Sequence, residues 1–364
     1  MAFVLPEFSP PDFAHPPLRD APLVTFKEVV QPGVAPENYH ATTIFPEYFQ
    51  IAKGQWRLPL ESRMDCVVVL EPDDSLSVKE FRRLRVGELV ACGRGENGED
   101  GIFVHTGAFA FPRHVMEKFA FRTHTTRETA FSIDYDELYE LLAYERDNGF
   151  ILWVLGPAVV FDHDARNAFV DIIHEGYVHA ILAGNALATH DVEGSLYGTA
   201  LGQDLYSKQH AKAGHYKHLD ALNRIRQVGS METACRQGLI RDGVMRALID
   251  RQIPCVLAGS IRDDGPMPEV LADVYRAQDD MRSLVRRATT VLALATQLHG
   301  IAAGNMTPSY KVAGGGAIRP VYFYSVDMSE FATNKLVNRG SLTARTILTN
   351  VQDFVVTLRR GLGG

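Results

Sequence analysis

From Thr126 onward the sequence alternates short apolar runs with segments of helical periodicity, and this alternation restricts the fold more than any other feature. The runs fall at 151–155, 180–183, 255–258, 321–326 and 346–348. Apolar runs of this length with helical segments between them indicate an α/β fold, a parallel sheet covered by helices on both faces. A helix is expected before the first run, with Ser132 or Asp134 as its cap, Leu138, Leu141, Leu142 and Tyr144 at helical spacing, and Asn148-Gly149 as its stop. The segment leading into Ala295 reads as a long apolar helix. In such sheets ligands sit at the carboxyl ends of the strands, so the residues directly after each run are the candidates for chemistry.

The region before this alternation has a different character. Six prolines lie between Pro6 and Pro22, and each fixes φ and removes a backbone donor, so residues 1–25 are expected to form an irregular arm packed on another subunit. Residues 26–125 carry short β-prone runs (64–70, 88–92, 101–105) broken by Gly and Asp clusters such as ENGEDG, the pattern of a small β-rich domain. The remainder, 126–364, is the α/β domain. With 37 Lys plus Arg against 44 Asp plus Glu, a formal charge of −7 and no long basic block, the chain is a poor partner for nucleic acid. Its most apolar stretch, 291–303, contains Thr296, Gln297 and His299 and is too short and too polar to span a membrane. A Pro-dense N-terminus without a basic, apolar signal pattern and four scattered cysteines without a CxxC pair are read as cytoplasmic, with reduced thiols and no metal site.

The strand ends hold the candidate residues. Gly156-Pro157-Ala158 follows the first run, and no GxGxxG occurs there or elsewhere, so the usual dinucleotide fingerprint is absent. The second run leads into GNALATHD, where Gly184 permits close backbone approach and Asn185 can either bond a ligand or cap a helix. After the third comes AGSIRDDGP, the densest polar cluster: Arg262 can hold a substrate carboxylate, and Asp263 and Asp264 can exchange protons or hold a ribose. The plain alternative is a charged turn with an internal Arg–Asp pair. Asp327, at the end of VYFYSV, is placed to bind ribose hydroxyls or to cap a helix. His215 and His218 share a helical face but lack the acidic or Cys partners of a metal site. Cys66, opening an apolar run, reads as a buried small hydrophobe rather than a nucleophile.

The runs LAGNALATHDVEGSLYGTALG, GHYKHLDALNRIRQVGSMETACRQGLI, CVLAGSIRDDGPMPEVLADVYRAQDDMR and ATQLHGIAAGNMTPSY resemble the archaeal-type ornithine cyclodeaminase family. That family also forms the C-terminal part of a cyanobacterial bifunctional arginine dihydrolase and shares a region with lysine-ketoglutarate reductase/saccharopine dehydrogenase. NYHATTIFPEYF, MDCVVVLEP and LRVGELVACG extend the resemblance back to about residue 36. It implies an NAD-binding domain of the deoxyhypusine synthase-like type, preceded by the β-rich module. By the same resemblance, Asn185, Ala186, Asp264, Thr296, Gln297, Leu298, His299, Asp327, Asn350 and Val351 contact NAD, Asn350 standing where relatives usually carry Asp. A second departure is the inserted KVAGGGAIRP, whose Gly314, Gly315 and Gly316 are expected to form a flexible loop near the cofactor.

The function implied is NAD-dependent cyclodeamination of L-ornithine to L-proline and ammonia, with Asp263 and Arg262 as catalytic residues, in a homodimer or homotetramer. Two alternatives remain: an NAD(P)-dependent dehydrogenase or imine reductase of an opine-like or other diamino acid, and a non-catalytic NAD-binding regulator.

Overall fold

A computed structural model describes residues 3–109, 131–329 and 342–363. The first part holds two small antiparallel sheets. One pairs β1 (Thr25–Glu28), β5 (Val67–Leu70), β6 (Leu76–Lys79) and β7 (Leu89–Cys92) in the order β1-β7-β5-β6. The other places β2 (Glu47–Ala52) between β3 (Gln55–Arg57) and β8 (Ile102–Val104). The short strand β4 (Glu61–Ser62) belongs to neither. Val24, Phe49, Val68, Ala91 and Ile102 form the core between the sheets.

The Pro-rich arm makes contacts with its own chain. Phe3 lies against Tyr144 and Tyr322, Phe8 against Phe109, and Phe13 stacks on Trp56 at 4.9 Å. Three aromatic anchors, five residues apart, replace the backbone bonds that proline cannot make.

The expected boundary at 125/126 lies outside the described residues. Among the described residues helix α1 (Phe131–Asn148) opens the α/β part, and Ser132 and Asp134 lie within the helix rather than at a cap. Then come β9 (Ile151–Leu155), α2 (His163–His174), β10 (Ala180–Gly184) and α3 (Asn185–Tyr197). A hairpin of β11 (Thr199–Ala200) and β12 (Gln203–Asp204) leads to α4 (Gly214–Val228), α5 (Met231–Arg236) and α6 (Val244–Asp250). The chain continues through β13 (Cys255–Ala258), α7 (Val274–Val285), β14 (Thr290–Leu294), α8 (Gln297–Met306), β15 (Tyr310–Val312) and β16 (Ile318–Pro320). It finishes with β17 (Tyr322–Asp327), β18 (Thr343–Leu348) and α9 (Val351–Leu362).

Six of these strands form one parallel sheet in the order β13-β10-β9-β14-β17-β18. Numbered along the chain that is 3-2-1-4-5-6, the order of a Rossmann fold, with its switch point between β9 and β14. β14 corrects the sequence reading, which took the approach to Ala295 as helix. All five of its residues are buried, and a short apolar run buried on both faces has no period that separates strand from helix. Along β9, Ile151, Trp153 and Leu155 face one core while Leu152 and Val154 face the other, the two-residue period of a sheet covered on both sides.

The inserted glycines are likewise not beside the ligand edge. Gly314–Gly316 turn the hairpin β15–β16, which runs directly into the amino end of β17, opposite the carboxyl edge. β15 also pairs with β4, so this hairpin joins the β-rich part to the parallel sheet. Among the described residues no helix is long and apolar enough to cross a membrane.

Candidate functional site

At the switch point the backbones of β9 and β14 come into close contact. The Gly156 N–H donates to Leu294 O at 2.8 Å, and a Cβ on Gly156 would lie 1.9 Å from Ala295 O. Only glycine fits there. Ala295 itself is held at φ 46, a left-handed conformation that costs a non-glycine residue energy and is most often retained at functional sites. Its N–H donates to Val326 O at 2.9 Å, fixing the carboxyl ends of β14 and β17 together.

Two helices start at this edge without a side-chain cap. α3 begins after Gly184 and α8 after Thr296, and neither residue bonds the helix's first N–H groups. By contrast Asp162, Asp273 and Asn350 cap α2, α7 and α9. Uncapped N–H groups and the positive end of the helix dipole suit an anion, so two such ends on the ligand edge fit the pyrophosphate of a dinucleotide despite the missing glycine fingerprint.

The residues that the resemblance assigns to NAD all lie on or directly beyond this edge. Asn185 and Ala186 open α3, and the Asn185 side-chain oxygen accepts bonds from Met267 N at 3.0 Å and Thr189 Oγ1 at 3.2 Å. Its carbonyl thus anchors the loop after β13. Gln297, Leu298 and His299 form the first turn of α8, with Leu298 70% exposed. The His299 ring rests on Gly184, where a Cβ would stand 2.8 Å from its Cε1. Burial pushes the His299 imidazole below its ordinary value, opposed by the charge of Asp263. This ring is therefore neutral near pH 7, and it ties the turns after β10, β13 and β14 into one surface.

In SIRDDG the internal Arg–Asp pair does not form. Asp263 instead closes its own turn, its carboxylate accepting from Ser260 N at 2.8 Å while its N–H donates to Ser260 O. Arg262 and Asp264 are exposed, and neither has an ion pair among the described residues. Asp327, half-buried at the end of β17, accepts from Ser329 N at 2.8 Å. Asn350 caps α9 through Gln352 N at 2.8 Å, and Gln352 reaches Ala158 O at 3.0 Å, drawing this turn toward the end of β9. Val351 is buried in the core, which leaves only its backbone for a ligand. Ile261, Leu298 and Met328 are large exposed apolar side chains that follow β13, β14 and β17, the kind of uncovered surface a flat ring system fills. From β13 to β18 the edge runs about 24 Å at roughly 4.8 Å per strand, a span suited to an extended ligand.

Sequence reasoning missed one pair. His190 Nδ1 lies 2.9 Å from Glu193 Oε2 inside α3, and Glu193 also accepts from Thr199 Oγ1, Leu201 N and Gly202 N. Burial raises the Glu193 carboxyl's affinity for a proton, but these bonds more than offset it and hold the group below the usual range. The ring of His218 stands 6.2 Å from that of His190, whereas His215 is exposed. An H-x-x-E pattern on a helix was the available signal. Beneath it, Asp191 is fully buried and binds Arg166 at 2.7 Å and the first N–H groups of α6, a structural network. Cys66 is buried as expected, and burial raises its thiol.

A family model described as the C-terminal Rossmann fold of ArgZ-like arginine dihydrolases matches residues 137–358. The ornithine cyclodeaminase of Methanopyrus kandleri is 39% identical over 91% of this chain and 76% of its own length. The crystal structure of a conserved LOR/SDH protein from Methanococcus maripaludis superposes with a TM-score of 0.84 at 31% identity, covering 94% of this chain and 98% of that one. AgrE in ternary complex with ornithine and NAD+ gives 0.58 at 31% identity, over 95% of this chain and 46% of AgrE. Joined to the switch-point geometry, these matches settle the kinship: the chain belongs to the archaeal-type ornithine cyclodeaminase family, whose Rossmann domain is also the C-terminal domain of the ArgZ-like enzymes.

Proposed function

We propose that this enzyme binds NAD across the carboxyl edge of its parallel sheet and converts L-ornithine to L-proline and ammonia. The observation that carries the reading is the pair of uncapped helix ends, α3 and α8, on the ligand edge of a chain whose relatives are named ornithine cyclodeaminases. When bound, NAD supplies reversible hydride transfer at the carbon bearing the α-amine. The N–H groups of Asn185 and Ala186 and of Thr296 through His299 hold the cofactor's phosphates, while Asp264 and Asp327 take ribose hydroxyls. Asn350 and Val351 contribute the edge of the same cradle. Arg262, exposed and unpaired, holds the substrate carboxylate by its planar fork. Asp263 accepts and returns protons at the reacting amines, with neutral His299 over Gly184 shielding it from water.

The same reading assigns the cofactor domain to the deoxyhypusine synthase-like type, because helix ends replace the glycine fingerprint. It divides the chain into an arm (1–25), a β-rich domain (26–125) and the NAD domain (126–364). It makes the assembly a homodimer or homotetramer, which light scattering tests. Four unpaired cysteines suit a reducing, cytoplasmic setting.

The decisive assay mixes the protein with α-deuterated L-ornithine and NAD+. Equal proline and ammonia, deuterium retained in proline and no accumulating NADH are expected. Net NADH would reassign the chain as a dehydrogenase, and NAD binding without turnover of any diamino acid as a regulator.

A further inference from the structure

A cavity of about 680 Å³ lies off the ligand edge, between the β-rich part and α7. Its charged lining is Lys79, Arg82, Arg83, Arg85, Glu88 and Asp279, four cations against two carboxylates. The ion pairs directly behind it bring Arg63, Arg282 and Arg286 together with Glu61, Glu71 and Glu80, which leaves that excess unchanged.

The cations are neither spent nor loose. Arg82, Arg83 and Arg282 all converge on a single oxygen of Asp279, at 2.5, 2.6 and 3.1 Å, so one carboxylate serves three guanidinium groups. The buried Nε of Arg83 makes no hydrogen bond, its nearest carboxylate, Glu80, lying 3.4 Å away. Arg82 is further steadied by the ring of Tyr275, 5.0 Å from its guanidinium carbon. Lys79 is fixed by Glu71 and Glu88 at 2.7 and 3.0 Å. Arg85 is exposed and has no ion pair among the described residues. Crowding of like charge also shows behind the cavity, where burial and the neighbouring Arg63, Arg83 and Arg82 bring Arg282 down to about 10.

From this geometry we infer that the cavity is a second binding site, for a small molecule carrying a phosphate monoester. Arginine forks match phosphate oxygens bidentately. A monoester carries close to two negative charges at neutral pH, which equals the excess in the lining. The volume is that of a small-molecule site and far larger than a bare ion requires. The site does not depend on the NAD reading, because none of its residues lies on the carboxyl edge.

The test is calorimetric titration of the full-length protein, with and without NAD+, using glycerol 3-phosphate, inorganic phosphate and succinate as probes at matched ionic strength. Saturable binding of glycerol 3-phosphate, tighter than that of inorganic phosphate and unaffected by NAD+, is expected. Arg85→Ser, at an exposed unpaired position that leaves the fold intact, should weaken it at least tenfold. Arg82→Ala should weaken it comparably, with α-helical circular dichroism unchanged. Non-saturable binding, equal affinity for succinate, competition by NAD+, or undiminished affinity in Arg85→Ser would each overturn the assignment.

Discussion

Replacing Gly156 by alanine tests whether the switch point is as tightly built as it looks. The added methyl would lie 1.9 Å from Ala295 O and 2.7 Å from its carbonyl carbon, both main-chain atoms that cannot rotate away. Reaching a tolerable 3.0 Å requires the ends of β9 and β14 to part by about 1.1 Å. Overpacking of this kind costs about 1–3 kcal/mol, and the stretched bond from Gly156 N to Leu294 O adds about 1 kcal/mol, so a loss of about 2–4 kcal/mol is expected. The same shift moves Ala295 and the start of α8, and a misplacement of about 1 Å lowers turnover on the order of a hundredfold. Gly314→Ala is the control, because a methyl there meets nothing within 4 Å; it should be neutral or raise stability by up to about 1 kcal/mol. Urea unfolding and proline formation measure both quantities. A Gly156→Ala protein within about 0.5 kcal/mol of wild type and equally active would refute the reasoning.

Asp191→Ala should cost about 3–5 kcal/mol in urea unfolding, because it strands the buried Arg166 guanidinium, whereas Asp242→Ala, at the exposed end of the same network, should cost under about 1 kcal/mol. Glu193 has a depressed proton affinity in the fold, so its contribution is complete above the unfolded value of about 4.3 and disappears as pH falls through the folded one. The stability advantage of wild type over Glu193→Gln should therefore be flat from pH 6 to 8 and shrink below about pH 4. For His299 the unfolded chain takes the proton first, so wild type should lose stability relative to His299→Gln as pH drops below about 6.5; parallel curves would show that the ring is not buried as described. Asp264→Ala and Asp327→Ala should each weaken NAD+ binding in a fluorescence titration, and unchanged affinity in both would remove their assigned roles.

Much of the fold is legible from the residues because fully buried strands need unbroken apolar sequence, as in 151–155 and 180–183. β14 was not, for a specific reason. Its turn into α8 uses Ala295 at positive φ where a glycine would have marked the break, so strand and helix read as one apolar stretch. The edge positions of Asn185, Asp264 and Asp327 follow from strand ends, which sequence reveals well, whereas Thr296, after the unread β14, is reached only through the family resemblance. What sequence does not reveal is which polar groups are already engaged. Asn185 is turned to the loop at Met267 and Asp263 to Ser260, bonds fixed by tertiary packing. The inserted glycines failed as a loop near the cofactor because sequence position alone does not say which edge of a sheet a connection crosses.

The hairpin β15–β16 has a consequence for how this chain can be inherited or cut. Its pairing with β4, extended by Ser309 N to Ser62 O at 2.8 Å, Val312 N to Leu60 O at 2.9 Å and the buried Tyr310 hydroxyl to Pro59 O at 3.0 Å, stitches together segments that lie 251 residues apart at Tyr310 and Pro59. Excising the Rossmann part would leave β15 as a raw edge, an invitation to aggregate. The two parts therefore make a single cassette that new modules can flank but not divide, in keeping with the 95% of this chain that aligns within the longer AgrE.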